Sequence, residues 1–229
     1  MNQSIPVITI DGPSGTGKGT IATLLAEQLG FHLLDSGALY RALAWAVLEK
    51  GIDPEEELAL NALLDGLDLE LRTKLATDMP RIWCDGQDIS EAIRAEQVGN
   101  MASKMAALPM IRHHLLKYQR RMRRAPGLIA DGRDMGSVVF PDAAVKFYLD
   151  ADPEIRAKRR YKQLKEKGIS VSLRDIREDL AARDYRDEHR ALSPMKAMPD
   201  MIWIDTSSLD INAVFERVMG GLPKQLLIN

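Results

Sequence analysis

The sequence predicts an α/β fold: a doubly wound, five-stranded parallel sheet flanked by helices. Three observations predict it. Five short apolar runs, at residues 7–10, 32–34, 128–130, 145–149 and 201–204, are separated by helical patterns, which is the signature of a parallel sheet covered on both faces. Each run is followed directly by an aspartate: Asp11, Asp35, Asp131, Asp150 and Asp205. The first run also opens into a glycine-rich turn and then a helix. Ligands of such sheets sit beyond the carboxyl ends of the strands, so the five aspartates are expected to form a polar rim around charged ligands and metal.

The first strand gives the most informative segment. Val7 to Ile10 is largely β-branched, and it leads into Gly12-Pro13-Ser14-Gly15-Thr16-Gly17-Lys18-Gly19-Thr20, with a helical apolar pattern from Ile21. Strand, glycine loop and helix in this order form a phosphate-binding P-loop. The glycines let successive N–H groups turn inward around an anion, the helix N-terminus faces the same anion, and Lys18 adds a full charge for the β- and γ-phosphates. The fold is therefore of the P-loop NTPase type. The usual Ser or Thr after the lysine, whose hydroxyl binds magnesium, is replaced by Gly19. The protein ligand of the metal is thus unknown from sequence, and Mg2+ is expected to be held mainly by phosphates and water.

After the second strand, Ser36 reads as the N-cap of a helix starting near Ala38, and Arg41 follows about one turn in. On position alone Arg41 fits a surface arginine as well as a ligand contact. Residues 67–88 break the pattern. Alternating Leu67, Leu69 and Leu71, then Ile82, Trp83 and Cys84 and an Asp85-Gly86 turn, predict a small antiparallel excursion. A later helix carries Ser103 and Arg112. The basic run 119–124 lies at the end of a helix, where cations are favoured regardless of any ligand. The third strand leads to Arg133 and Asp134 in a loop, a placement that often carries function. Residues 151–190 are dense in charge and are divided by Gly168 and Ser170 into two helices. The second of these sets Arg183, Arg186, Asp187 and Arg190 on one face. That stripe reads either as a solvated face laced with ion pairs or, beside a P-loop, as a phosphate clamp.

Bulk properties bound the rest. A chain of 229 residues with net charge −2 accommodates one α/β domain with insertions and argues against a general nucleic-acid binder. One cysteine, Cys84, excludes an intramolecular disulfide framework. No basic-then-apolar leader and no apolar run near ~20 residues is present, so a soluble cytoplasmic protein is expected. His32, His113, His114 and His189 form no obvious pair with a nucleophile.

Together these motifs resemble the bacterial cytidylate (CMP/dCMP) kinases over nearly the whole chain. The resemblance is carried by residues 8–20, by Leu34-Asp-Ser-Gly-Ala-Leu-Tyr-Arg41, by Ile129-Ala-Asp-Gly-Arg-Asp-Met-Gly136 and by the 183–190 segment. It implies a P-loop core (1–35, 106–150 and 191–229), an inserted acceptor-binding subdomain (36–105) containing the antiparallel excursion, and a helical lid with its following helix (151–190). It also implies ATP as donor with Mg2+, and CMP or dCMP as acceptor. By resemblance Ser103, Arg112 and Asp134 would contact cytosine. Arg41 and Arg133 would hold the acceptor phosphate with Arg190 nearby and Ser36 alongside, and Arg183 and Asp187 would reach the sugar. Arg156, Arg159 and Arg160 would approach the transferring phosphate, with Lys18, Arg133, Arg159 and Arg190 as the catalytic set. A monomer acting on small-molecule nucleotides, without nucleic acid or membrane, completes the expectation. The rival readings are a P-loop kinase with another acceptor, such as UMP, AMP or a metabolite, a nucleotide switch, and an RNA-interaction module using Arg120 to Arg124. The chain lacks the Asn-Lys-x-Asp guanine signature of GTPases.

Overall fold

A computed structural model describes residues 5–72, 81–166 and 168–227. In chain order the elements are β1 (Val7–Asp11), α1 (Lys18–Leu29), β2 (His32–Asp35), α2 (Ser36–Glu49), α3 (Glu57–Gly66), β3 (Leu69–Arg72), β4 (Arg81–Cys84) and β5 (Gln87–Asp88). They continue with α4 (Glu96–Met105), α5 (Pro109–Arg121), β6 (Leu128–Gly132), β7 (Val145–Asp150), α6 (Pro153–Glu166), α7 (Leu173–His189), β8 (Ile202–Asp205) and α8 (Ile211–Gly220).

The main sheet has five parallel strands in the order β2-β6-β1-β7-β8 among the described residues. Each of the five strands extends to include its terminal aspartate or, for β6, Gly132. Alternation along β1 serves both faces. Val7 joins a core shared with α2, α4 and α5, while Ile8 and Ile10 join one shared with α1 and α8. Burial on both faces explains the continuous apolar runs of the central strands β1, β6 and β7, whereas the edge strands β2 and β8 keep exposed positions.

Register aligns the strand ends at one edge: Asp35 faces Asp131, and Asp150 faces Asp205. The aspartates are nonetheless not equivalent, which corrects the expected common rim. Asp35 accepts from Ala38 N (3.0 Å), Asp150 from Ala151 N (2.8 Å) and Asp205 from Ser207 N (2.9 Å). Asp11 accepts from Met135 N and Gly136 N, both at 2.8 Å. Asp131 differs, because its buried Oδ1 has no hydrogen-bond partner. The cap of α2 is likewise corrected. Asp35 caps it, the helix begins at Ser36, and the Ser36 hydroxyl instead accepts from Gln119 Nε2 (2.9 Å).

The predicted excursion is a three-stranded antiparallel sheet, β3-β4-β5, pairing Leu69 with Cys84 and Trp83 with Asp88. Its segment 73–80 lies outside the described residues. Asp85 and Gly86 both take positive φ, 48° and 79°, as a tight hairpin of this hand requires. Cys84 is buried, and burial pushes its thiol up to about 11, which keeps it unreactive. The basic run before β6 is tied to its own chain: Arg120 donates to Val138 O and Val139 O, and Arg123 to Ile5 O and Asp142. α6 and α7 follow β7, and Ser172 caps α7 through Asp175 N (3.0 Å).

Candidate active site

The P-loop leaves the end of β1 and closes on α1. Gly12 has φ 141°, and an added Cβ there would lie 1.9 Å from Leu149 O. Gly17, at φ 92°, is the residue before α1, and no side chain caps that helix. The first N–H groups of α1 therefore remain for a ligand. Loop carbonyls are held partly by the loop's own side chains and partly by arginines of α6. Thr16 Oγ1 and Lys18 Nζ both donate to Pro13 O (3.1 and 3.0 Å), Arg156 Nη1 to Ser14 O (3.2 Å) and Arg159 Nη1 to Gly15 O (3.5 Å).

Charge is concentrated here beyond what the chain neutralises. Lys18 is 9% exposed, and burial, reinforced by Arg133 and Arg183, lowers its pKa below the ordinary lysine value. Burial raises Asp131 above the usual carboxylate range, against the pull of Lys18. Burial and the nearby Arg133 and Arg41 push Arg183 well down, and its Nε has no hydrogen-bond partner. A buried cationic cluster with unpaired donors is built for an anion.

Arg133 spans the gap between the P-loop and α7. Nη2 donates to Ser14 Oγ (2.8 Å) and Nε to Asp187 Oδ2 (3.1 Å). Burial opposes its charge, but Asp187 and Asp131 outweigh it, so its pKa is raised. Deeper in, Arg112 is ion-paired with Asp134, both buried, and lies over the Tyr40 ring at 5.9 Å. Arg190 Nη2 stands 3.6 Å from Asp134 Oδ1, too far for a hydrogen bond, and has no other partner. Ser103 Oγ lies 3.4 Å from Asp187 Oδ1 and accepts from Arg186 Nε (3.2 Å). Arg41 donates to Ile93 O (2.8 Å).

The fold thus brings together Lys18, Ser103, Arg112, Arg133, Asp134, Arg183, Asp187 and Arg190 from α1, α4, α5, the loop after β6, α7 and the residue after it. The three arginines of α6 go separate ways. Arg156 is buried against Asp184 (2.5 Å) and braces the P-loop, and Arg160 is ion-paired with Glu96 at the start of α4. Arg159 stands on the β8 side of the P-loop, donating to Thr206 Oγ1 (3.1 Å) and Thr206 O (2.6 Å). Sequence reasoning missed Gln119, Asp184, Glu96 and Thr206. Each is a partner of a singled-out residue, and none carries a local pattern that marks it.

A family model described as cytidylate kinase matches residues 8–224. The chain belongs to the cytidylate kinase family. It is 51% identical over 224 residues to a cytidylate kinase of Coxiella burnetii, covering 98% of this chain and 94% of that one. A cytidylate kinase of Pseudomonas syringae pv. tomato is 52% identical over 219 residues, 96% of each chain. An uncharacterized protein from Eubacterium ventriosum shares the fold alone, with TM-score 0.50 and 12% identity over 94% of this chain and 96% of its own. As a member of this family the protein is an enzyme, a nucleotide-binding P-loop kinase. Among the described residues no helix is long and apolar enough to cross a membrane, and no group of three or more His, Cys, Asp or Glu side chains could hold a metal ion.

Proposed function

We propose that this kinase transfers the γ-phosphate of ATP to CMP or dCMP, forming ADP and CDP or dCDP in one in-line step without a covalent intermediate. The observation that carries this reading is Arg133, whose guanidinium bonds Ser14 of the P-loop and Asp187 of the acceptor-side group at once. The donor and acceptor phosphates would meet across that side chain. The acceptor oxygen is already anionic at neutral pH, so no general base is needed. The obstacle is repulsion between two polyanions, which positive charge and positioning overcome.

In this reading Gly12 to Thr20 cradle the donor phosphates, and Lys18 leaves Pro13 O to follow the β- and γ-phosphates. Arg41, Arg133 and Arg190 hold the acceptor phosphate with Ser36, while Arg183 and Asp187 reach the sugar. Asp134 accepts from the cytosine amino group, and Arg112 and Ser103 donate toward its N3 and O2. Arg159 contributes from the donor side of the loop. Residues 151–190 act as a lid that excludes water, and 36–105 form the acceptor-binding subdomain. A cytoplasmic monomer acting on nucleotides with Mg2+ fits this chemistry.

Magnesium fits the residues present. Asp131 has a buried carboxylate oxygen without a partner, and its Oδ2 lies 3.3 Å from where a Cβ on Gly19 would stand. A single carboxylate beside the phosphates suits an ion that keeps most of its water. When bound, the ion would shield phosphate charge. Asp131→Asn is expected to raise the Mg2+ concentration needed for half-maximal turnover about tenfold or more, measured by magnesium titration at saturating ATP and CMP. An unchanged requirement would remove Asp131 from that role.

The reading is tested by ADP release from ATP and magnesium with CMP, dCMP, UMP, AMP or no acceptor. Fast turnover with the cytosine nucleotides alone is expected, and preference for another acceptor would discard the cytosine contacts. Asp134→Ala is expected to reduce the CMP-over-UMP preference in kcat/KM by roughly tenfold to a hundredfold, because uracil presents a carbonyl where cytosine presents a donor. Competing CMP and UMP in one assay measures that ratio directly.

A further inference from the structure

We propose that Asp11 is a positioning residue for acceptor choice: it caps, from β1, the turn that follows Asp134, and so frees the Asp134 carboxylate to face the acceptor base. This rests on the reading of Asp134 given above.

Residues Met135–Val139 form a single wide helical turn. The first N–H groups of such a turn need acceptors. An aspartate in the preceding position ordinarily supplies its own carboxylate. Asp134 occupies that position, with φ −146° and ψ 23°, yet its side chain makes no capping bond. Its carbonyl accepts from Val138 N (2.9 Å) and Val139 N (3.2 Å), while its carboxylate turns away to Arg112 and faces Arg190. The cap comes from another strand. Met135 N donates to Asp11 Oδ1 and Gly136 N to Asp11 Oδ2, both at 2.8 Å. Asp11 is 0% exposed, so bulk solvent does not compete for these two N–H groups. The turn is also fitted closely to β1, since a Cβ at Gly136 would lie 2.6 Å from Thr9 Oγ1.

Both oxygens of Asp11 are therefore used, one for each N–H. Asp11→Asn keeps the shape but sets an amide NH2 against one of these donors. A buried N–H left without an acceptor is costly, and the carboxylate one residue before the turn is its natural replacement. Asp134 would then cap its own turn and leave Arg112. The acceptor base would lose the carboxylate that reads it, although no residue touching the base has been changed.

The test is the ratio of kcat/KM for CMP to that for UMP in four proteins: wild type, Asp11→Asn, Asp134→Ala and the double variant. A ratio does not depend on the fraction of folded enzyme, so a merely structural role for Asp11 leaves it fixed. Asp11→Asn is expected to lower the ratio about tenfold, and the double variant to show no further loss beyond Asp134→Ala. Asp11→Ser, which keeps one acceptor, serves if the asparagine variant does not accumulate. A ratio unchanged in the Asp11 variant but lowered in Asp134→Ala overturns the inference and leaves the base reading intact. A ratio unchanged in Asp134→Ala overturns the base reading, and the inference with it.

Discussion

Lys18→Ala is expected to lower kcat by roughly 10²- to 10³-fold while leaving the melting temperature unchanged or slightly raised. The two halves have one cause. Lys18 is nearly buried beside Arg133 and Arg183, and burial lowers its pKa. In the nucleotide-free protein its charge therefore opposes folding. The sign follows from linkage. The unfolded state holds the lysine proton more tightly than the folded state, so charged Lys18 costs stability at neutral pH, and that cost disappears as pH rises toward the unfolded value. Its hydrogen bond to Pro13 O (3.0 Å) offsets part of it. The phosphates of a bound nucleotide reverse the balance, because they supply the counter-charge that the site lacks. Steady-state kinetics and thermal melting with and without ATP decide the matter. A variant with near-normal turnover, or one that melts many degrees lower without nucleotide, contradicts this account.

The same charge logic explains which parts of the site were legible in the sequence. The central strands β1, β6 and β7 were readable because they are buried on both faces, which leaves an uninterrupted apolar run, while the edge strands β2 and β8 read as apolar runs although His32, Ile202 and Trp203 are exposed. The P-loop was readable because its conformation demands glycines at fixed spacing. The α6 arginines were not separable by sequence. Arg156, Arg159 and Arg160 lie within five positions and share one chemistry, but their partners Ser14, Asp184, Thr206 and Glu96 are 28 to 142 residues away. Only tertiary packing sorts a loop brace from an interhelical ion pair. The strand-end aspartates failed for a related reason. Asp11 and Asp131 follow apolar runs of the same type, yet one carboxylate meets two N–H groups of a turn more than a hundred residues on and the other meets none. Ser36 and Asp35 both have side chains able to cap, and the choice between them depends on Gln119 arriving from α5.

Gly12→Ala is expected to be the most destabilising single-methyl change in the P-loop, by about 3–5 kcal/mol. Two costs combine. The φ of 141° lies where side-chain-bearing residues are strained, and the new Cβ would stand 1.9 Å from Leu149 O. That oxygen belongs to the backbone of β7, next to β1 in the sheet, and cannot swing aside as a flexible side chain would. Gly51→Ala separates the two costs. Its φ is 61° and nothing lies within 4 Å of its added Cβ, so it bears the conformational cost alone, about 1 kcal/mol. For a chain of this size each kcal/mol shifts the melting temperature by roughly 2–4 °C. Gly12→Ala should therefore melt on the order of 10 °C below wild type, and Gly51→Ala only a few degrees below. If the loop yields instead of the sheet, the lost stability reappears as lost ATP affinity, because Gly12 opens the cradle. Equal melting temperatures for the two variants, with ATP binding intact in both, would show that the approach to Leu149 O does not constrain the loop.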